Sequence, residues 1–333
     1  MQTKAQAIEP IPPKLIASFI TGFNTVATHV RLILFPLVLD LFLWFGPHLG
    51  VKNLLQPYIR QLTTIPELNT PEMSNVIQTI QSSWNFVAQR FNLASGLRTY
   101  PVGIPSLMSG QAPLQTPLGT APVYQVSSPL DAIGWYVVIA LLGLIVGSWY
   151  FNSVARAVFP QKANTSLHLI GWDTLQVIFL TATLLLVLVV LSIPGLILLP
   201  LLAFISPGFA QITLLLLLII LVWLIVPLLF SPHGIFVYRQ SALVSLMTSA
   251  KVIRFSMPGS VIFFFLVLVI SQGMDLLWQV APDNSWMALV GIAGHAFTTT
   301  GLLAASFVYY SDAVQWLQEV IQQNLPSQKE SQI

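Results

Sequence analysis

The sequence predicts an all-α integral membrane protein. Six membrane-crossing helices form a bundle, joined by interfacial amphipathic helices and a long extracytoplasmic cap that is part helical and part proline-rich. Three observations predict this class. Of 333 residues only 7% are charged, against roughly 25% in an ordinary soluble domain. Hydrophobic residues make up 55%, and the mean hydropathy is +0.80. The apolar residues fall in runs near the ~20 that a helix needs to cross ~30 Å of hydrocarbon. So little charge cannot cover a water-facing surface, which excludes a soluble globular enzyme, and the same apolar content excludes disorder.

The first span is expected at 28–46 (THVRLILFPLVLDLFLWFG) and the second at 133–154 (IGWYVVIALLGLIVGSWYFNSV). The third and fourth, at 174–193 and 211–230, lie in a tract without Asp, Glu, Lys or Arg from Thr174 to Tyr238. That tract is too long for one crossing. Its interruptions at Pro194-Gly195, Pro200 and Pro207-Gly208 are the expected turning points. Two readings of 194–210 stay open: a re-entrant segment, or flanking helices that run past the hydrocarbon and break at the prolines. The fifth span is expected at 259–279 and the sixth at 286–308, followed by a cytoplasmic tail, 309–333. The runs are continuous rather than alternating, which argues against a β-barrel. The whole chain reads as a single membrane domain.

Charge sets the orientation. With the N-terminus inside, the inner segments hold Lys4, Lys14, Arg31, Arg156, Lys162, Arg239, Lys251, Arg254 and Lys329, while the short outer connections hold no Lys or Arg. The long outer loop, 47–132, holds Lys52, Arg60, Arg90 and Arg98, but long loops cross largely regardless of charge. Both termini are therefore expected in the cytoplasm, with the spans in the plasma (inner) membrane. Trp44, Trp135, Trp149, Trp172, Trp278 and Trp286 fall near span ends, as an interfacial belt requires. No h-region with a small-residue cleavage site follows the N-terminal residues, so no removable signal peptide is expected.

Several stretches have helical period without spanning. Residues 14–28 suit the inner interface. Val51, Leu54, Leu55, Tyr58, Ile59 and Leu62 fit one helical face, with Pro57 expected to kink or split it. A second outer helix is expected from Thr70-Pro71, with an apolar stripe of Ile77, Ile80, Trp84, Val87 and Phe91. It suits the bundle mouth or the outer leaflet. From Tyr100 to Leu130 the chain carries Pro101, Pro105, Pro113, Pro117, Pro122 and Pro129 and no charge, a composition that forms neither a long helix nor a sheet. An ordered strap and a flexible loop are both consistent with it. On the inner side, 235–256 reads as an interfacial amphipathic helix. Leu243, Leu246, Met247, Ala250 and Ile253 line one face, and Gln240, Ser241, Ser245, Thr248 and Lys251 the other. Arg239, Lys251 and Arg254 are its candidate contacts to anionic lipid.

The stretch SALVSLMTSAKVIR directly before a span, with FVYYSDAVQWLQE closing the last one, resembles a group of six-span bacterial membrane proteins. These are the membrane domain fused to some glycerophosphodiester phosphodiesterases and its uncharacterised stand-alone relatives. The resemblance covers mainly 235–316, and the opening LILFPLVLDLFLWFGP is compatible with it. It implies a bacterial multi-pass protein of the cell membrane. Asp312 and Ala313, where family members often carry a basic residue, and the long insertion 47–132 depart from the pattern. No phosphodiesterase catalytic domain occurs in this sequence, so that activity is not implied.

Ionisable groups inside spans are costly and each invites a functional hypothesis. Asp40, Asp275 and His295 all fall in the outer half of the predicted bundle. In the sharp reading Asp40 and His295 face one another in a polar cavity with Asp275 at its mouth, as a proton relay or cation site. In the plain reading each makes a structural interhelical hydrogen bond. Gly291, Gly294, Ala296 and Gly301 favour close helix packing in the last span. The string around His295 faintly resembles the histidine helix of rhomboid-type proteases, but no Gly-x-Ser-Gly partner accompanies it. No nucleotide, zinc or dinucleotide motif occurs, cysteine is absent and no basic block suggests nucleic acid, so no cofactor, metal or catalytic residue is expected. The partners expected are the lipid bilayer and a membrane protein. The functional expectation is a non-enzymatic membrane protein that organises lipid or a partner complex. The alternative is a transporter or channel using Asp40 and His295.

Overall fold

A computed structural model describes residues 12–61, 71–162 and 167–324; Lys4, Leu62, the Thr70 cap and Lys329 lie outside the described residues. In chain order the elements are α1 (Leu15–Thr28), α2 (Leu34–Phe45), β1 (His48–Gly50), α3 (Lys52–Gln61), α4 (Pro71–Arg90), α5 (Met108–Gln111), β2 (Gln115–Thr116), β3 (Gly119–Thr120) and β4 (Val123–Gln125). Then come α6 (Pro129–Val158), α7 (Leu167–Ile205), α8 (Pro207–Ile225), α9 (Ser231–Tyr238), α10 (Ala242–Phe255), α11 (Met257–Trp278) and α12 (Ala288–Asn324). The described residues are overwhelmingly helical, a form compatible with lipid because a helix satisfies its own backbone. Among the described residues α6, α7, α11 and α12 are long and apolar enough to cross a membrane.

Four expectations change. The stretch 28–46 is not one helix: α1 ends at Thr28, a 3-10 turn covers Val30–Ile33, and Val30–Phe45 sets off at 90° to α1. The break falls at His29 (φ −123°, ψ 55°); Pro36, which has no N–H for the Leu32 carbonyl, keeps the α-helix from extending back through the 3-10 turn. If the bent pair counts as one crossing, there are five candidates. Second, the helix does not turn at Pro194 or Pro200; α7 runs through both to Ile205. A Pro-Gly pair follows at both 194 and 207, so the dipeptide does not decide. Gly195 faces Leu217 of α8, where an added Cβ would sit 3.3 Å from Leu217 Cδ1. The two residues are equally far from Ser206 in sequence, so α7 and α8 form a hairpin. Ser206 is extended (φ −163°, ψ 131°) and Pro207 opens α8.

Third, 235–256 is two helices, because Arg239 adopts a left-handed conformation (φ 54°, ψ 32°) that closes α9 before α10 begins. Fourth, the expected tail from 309 is helical as far as Asn324. Tyr309, Tyr310, Ala313, Val314 and Leu317 are buried at helical spacing, and that packing carries α12 onward. Pro57, moreover, does not split α3, which is one helix from Lys52 to Gln61.

The chain divides into two compact units. One comprises Met1–Thr28, Val154–Val269 and Gly301–Ile333; the other comprises His29–Ser153 and Ile270–Thr300. The first unit is built on aromatic rings. Phe263 stacks on Tyr309 at 4.3 Å, Phe19 of α1 stacks on Phe263 at 5.2 Å, and Phe230, Tyr310, Val252 and Ile253 complete the core. Gly22 lets α1 cross α12 closely, since a Cβ there would lie 2.4 Å from the Ala305 nitrogen. The α7–α8 hairpin stands apart from this core. Only 6% of the most apolar stretch of α7 is buried.

The second unit is built around the strap. Its cluster is Val51, Leu93, Val126 and Ile139. β1 pairs in parallel with β4, His48 opposite Val123, and β2 with β3 form a two-residue antiparallel pair. Neither pairing was visible in the sequence. The strap is ordered and packed: Val102, Ile104, Leu107 and Met108 are buried. Gly143 and Gly147 of α6 receive it. A Cβ on Gly143 would lie 2.5 Å from the Leu97 carbonyl oxygen, and one on Gly147 would lie 2.9 Å from Gly103 Cα. Small residues at this spacing usually bring two helices together; here they admit irregular backbone. Ser128 opens α6, accepting from the Asp131 N–H at 3.1 Å and donating to the Asp131 carboxylate at 2.8 Å.

Candidate functional site

In the second unit Asp40, on α2, is fully buried. Its carboxylate accepts from the Ser106 hydroxyl at 2.5 Å, the Met108 N–H at 3.0 Å and the Leu107 N–H at 3.1 Å. The strap cannot bond its own backbone here, so a side chain from another element does it. Charge-assisted bonds of this kind are the strong ones. Arg98 braces the same segment, donating from Nη1 to the Ser106 carbonyl at 3.4 Å and to Ser109 Oγ at 3.3 Å.

His295, on α12, is 3% exposed. Its Nδ1 lies 2.7 Å from Asp275 Oδ1 on α11, and its Nε2 is buried with no hydrogen-bond partner among the described residues. Of the three predicted groups the direct pair is Asp275–His295, while Asp40 is committed to the strap. The glycines of α12 supply the reason. Gly294 gives way to the Trp278 ring, and Gly291 admits the Trp278 carbonyl at 2.2 Å from where a Cβ would stand. That fixes the α11–α12 register and carries Asp275 onto His295. Small residues beside a tryptophan at a short connection were the available signal.

The two cavities described in this unit are apolar, not polar. One, of about 550 Å³, is lined by Trp278, Leu289, Val290, Ala293, Gly294 and Phe297. The other, of about 430 Å³, lies among α2, the strap and α6, with Leu34, Val38, Phe42, Leu97, Ile104 and Val146 in its walls.

In the first unit the predicted lipid contacts separate. Arg239 forms a salt bridge with Asp173, whose side chain is 1% exposed. Burial, reinforced by nearby Arg156, lowers the Arg239 pKa from its ordinary value. Lys251 and Arg254 are exposed on α10. That helix buries Ala242, Ser245, Ser249, Val252 and Ile253 and turns Leu243, Val244 and Met247 outward beside the two cations. Its small, serine-rich side therefore packs on protein. Gln176 accepts from the Ala242 N–H at 2.9 Å and so ties α7 to the start of α10. His233, on α9, contacts Ser306 Oγ at 2.8 Å, and burial lowers its pKa to about 3. Asp173, Gln176 and His233 were not singled out in the sequence, although an acid one residue before a charge-free tract is a visible signal. No group of three or more metal-ligating side chains occurs among the described residues.

Comparison with family models, curated proteins and solved structures returns no match.

Proposed function

We propose that the chain is a non-enzymatic, multi-pass protein of a bacterial cell membrane that organises lipid or a partner complex. Six crossings are proposed, with both termini cytoplasmic and the insertion 47–132 forming an extracytoplasmic cap. The observation that carries this reading is the α7–α8 hairpin. Its apolar surface has almost no partner among the described residues, so its natural partners are acyl chains or another membrane protein. The outward side of α10 agrees: Leu243 and Met247 suit acyl chains, and Lys251 and Arg254 suit phosphates beside them.

The absence of cysteine makes topology directly measurable with single introduced cysteines. Membrane-impermeant labelling is expected to fail at both termini in intact cells and to succeed near Asn85. Reagents reaching one terminus would overturn the even number of crossings. In proteoliposomes no solute flux is expected, while phospholipid or a membrane protein co-purifies. Flux of a defined solute at enzyme-like or channel-like rates would overturn the organising role.

One observation favours a second reading, transport: the Asp275–His295 pair, whose histidine is buried and whose carboxylate is partly exposed. Intramembrane pairs of this kind mark proton and ion pathways. It predicts pH-dependent flux lost in both His295→Ala and Asp275→Asn; flux indifferent to both removes it.

A further inference from the structure

The smaller apolar cavity has features beyond an ordinary lipid-facing dent. Its α2 wall is a helical stripe, Leu34, Val38 and Phe42, each four residues from the next and 53%, 60% and 42% exposed. That stripe is about 12 Å long at 1.5 Å per residue. Gly143 and Val146 of α6 form a second wall. The third is not α-helix: Leu97 closes the 3-10 turn Leu93–Leu97 and Ile104 comes from irregular backbone, held in place by the Gly143 approach and the Asp40 latch. A groove of about 430 Å³ with almost no polar lining suits hydrocarbon, and its walls among the described residues are these three.

A cation marks the strap wall. Arg98 follows Leu97 directly and reaches Ser106, just beyond Ile104, so it brackets the wall from both sides. It is exposed, as is Tyr100, whose ring lies 5.9 Å from the guanidinium carbon. One guanidinium nitrogen serves the strap, and a fork of donors suits a phosphate. The larger cavity lacks this: its neighbouring ionisable groups, Asp275 and His295, are already paired with each other.

We propose that this groove holds one acyl chain of a phospholipid whose phosphate is met by Arg98. The proposal rests on the lipid-organising reading and names the lipid chemistry of one site within it. The strap then acts as half of a built binding wall.

Phosphatidylglycerol with a diazirine on one acyl chain tests it, using the full-length protein in phosphatidylcholine vesicles. After irradiation, cross-links are expected to concentrate at least tenfold in residues 34–42 and 143–146 relative to the exposed face of α7. Val38→Trp, which fills the groove from an exposed position, is expected to abolish that enrichment. Arg98→Gln is expected to equalise competition by unlabelled phosphatidylglycerol and by diacylglycerol, which has no phosphate. Cross-links spread evenly over all exposed apolar helices would overturn the site while leaving the lipid-organising reading intact. Enrichment that survives Val38→Trp, or that diacylglycerol displaces equally well in the wild type, would overturn it too. Native mass spectrometry separates the larger failure: protein that carries no lipid or partner out of the membrane would sink the organising role itself.

Discussion

The strap and the part of the α7–α8 hairpin beyond Asp173 are both charge-free and both interrupted by proline, yet they solve the same problem in opposite ways. In α7 the prolines are few and set among Leu and Ile, so the remaining N–H groups keep bonding within the helix. The helix is self-sufficient and leaves its side chains facing outward. In the strap proline recurs every few residues, and no helix longer than α5 forms. At 106–108 its backbone is bonded from outside, by Asp40 and Arg98. In the strap a buried polar site arises where backbone cannot satisfy itself, whereas the uninterrupted proline-bearing stretch of α7 presents apolar surface.

The largest effect expected on this contrast comes from Asp40→Ala. It leaves the Ser106 hydroxyl and two backbone N–H groups buried without an acceptor, at a cost of about 3 kcal/mol or more. A lowered thermal midpoint in detergent and new proteolysis within 100–111 are the readouts; an unchanged midpoint would mean that the latch carries no weight. Asp40→Asn, which keeps one acceptor, should recover part of the loss.

The next effect tests the end of the hairpin. His233 stays neutral down to about pH 3 when folded, against an ordinary value of 6.5. The unfolded chain takes up a proton that the folded one refuses. Stability is therefore complete above about pH 6.5 and falls as pH drops from there toward 3. His233→Gln should flatten thermal midpoints measured across that window; an equally steep fall in the variant would assign the acid sensitivity elsewhere.

Glycines sharpen the contrast directly. Gly143→Ala pushes a methyl into the Leu97 carbonyl and should cost about 1–3 kcal/mol. Gly195→Ala, where the nearest atom is a flexible Leu217 methyl, should change stability by less than about 0.5 kcal/mol. Similar midpoints for the two would end the distinction. Pro194→Ala and Pro200→Ala should be smallest, neutral or slightly stabilising by circular dichroism melts, because each restores a helix donor.

The all-α class with long apolar helices, the starts of α4 and α11, and the singling out of Asp40, Asp275 and His295 were legible in the sequence, because helical period and the scarcity of charge in apolar runs are local properties. The partners were not. Ser106, Leu107 and Met108 lie far from Asp40 in sequence, and periodicity says nothing about where irregular backbone folds back. Gly143 and Gly147 signalled a close approach without saying to what. The two Pro-Gly pairs are alike in sequence and differ only in what packs beside them. The break at Arg239 rests on a left-handed residue that no arginine advertises.

The Leu49 amide nitrogen donates to the Asn92 side-chain oxygen at 3.0 Å. After α3 and α4 the chain thus returns beside the point it left. It is riveted along the way as well: Val51 sits in the cluster with Leu93, Val126 and Ile139, and Arg90 Nη1 donates to the Gln111 carbonyl at 3.3 Å. Trimming the outer helices away would therefore also strip a side chain from the core and a fastening from the strap.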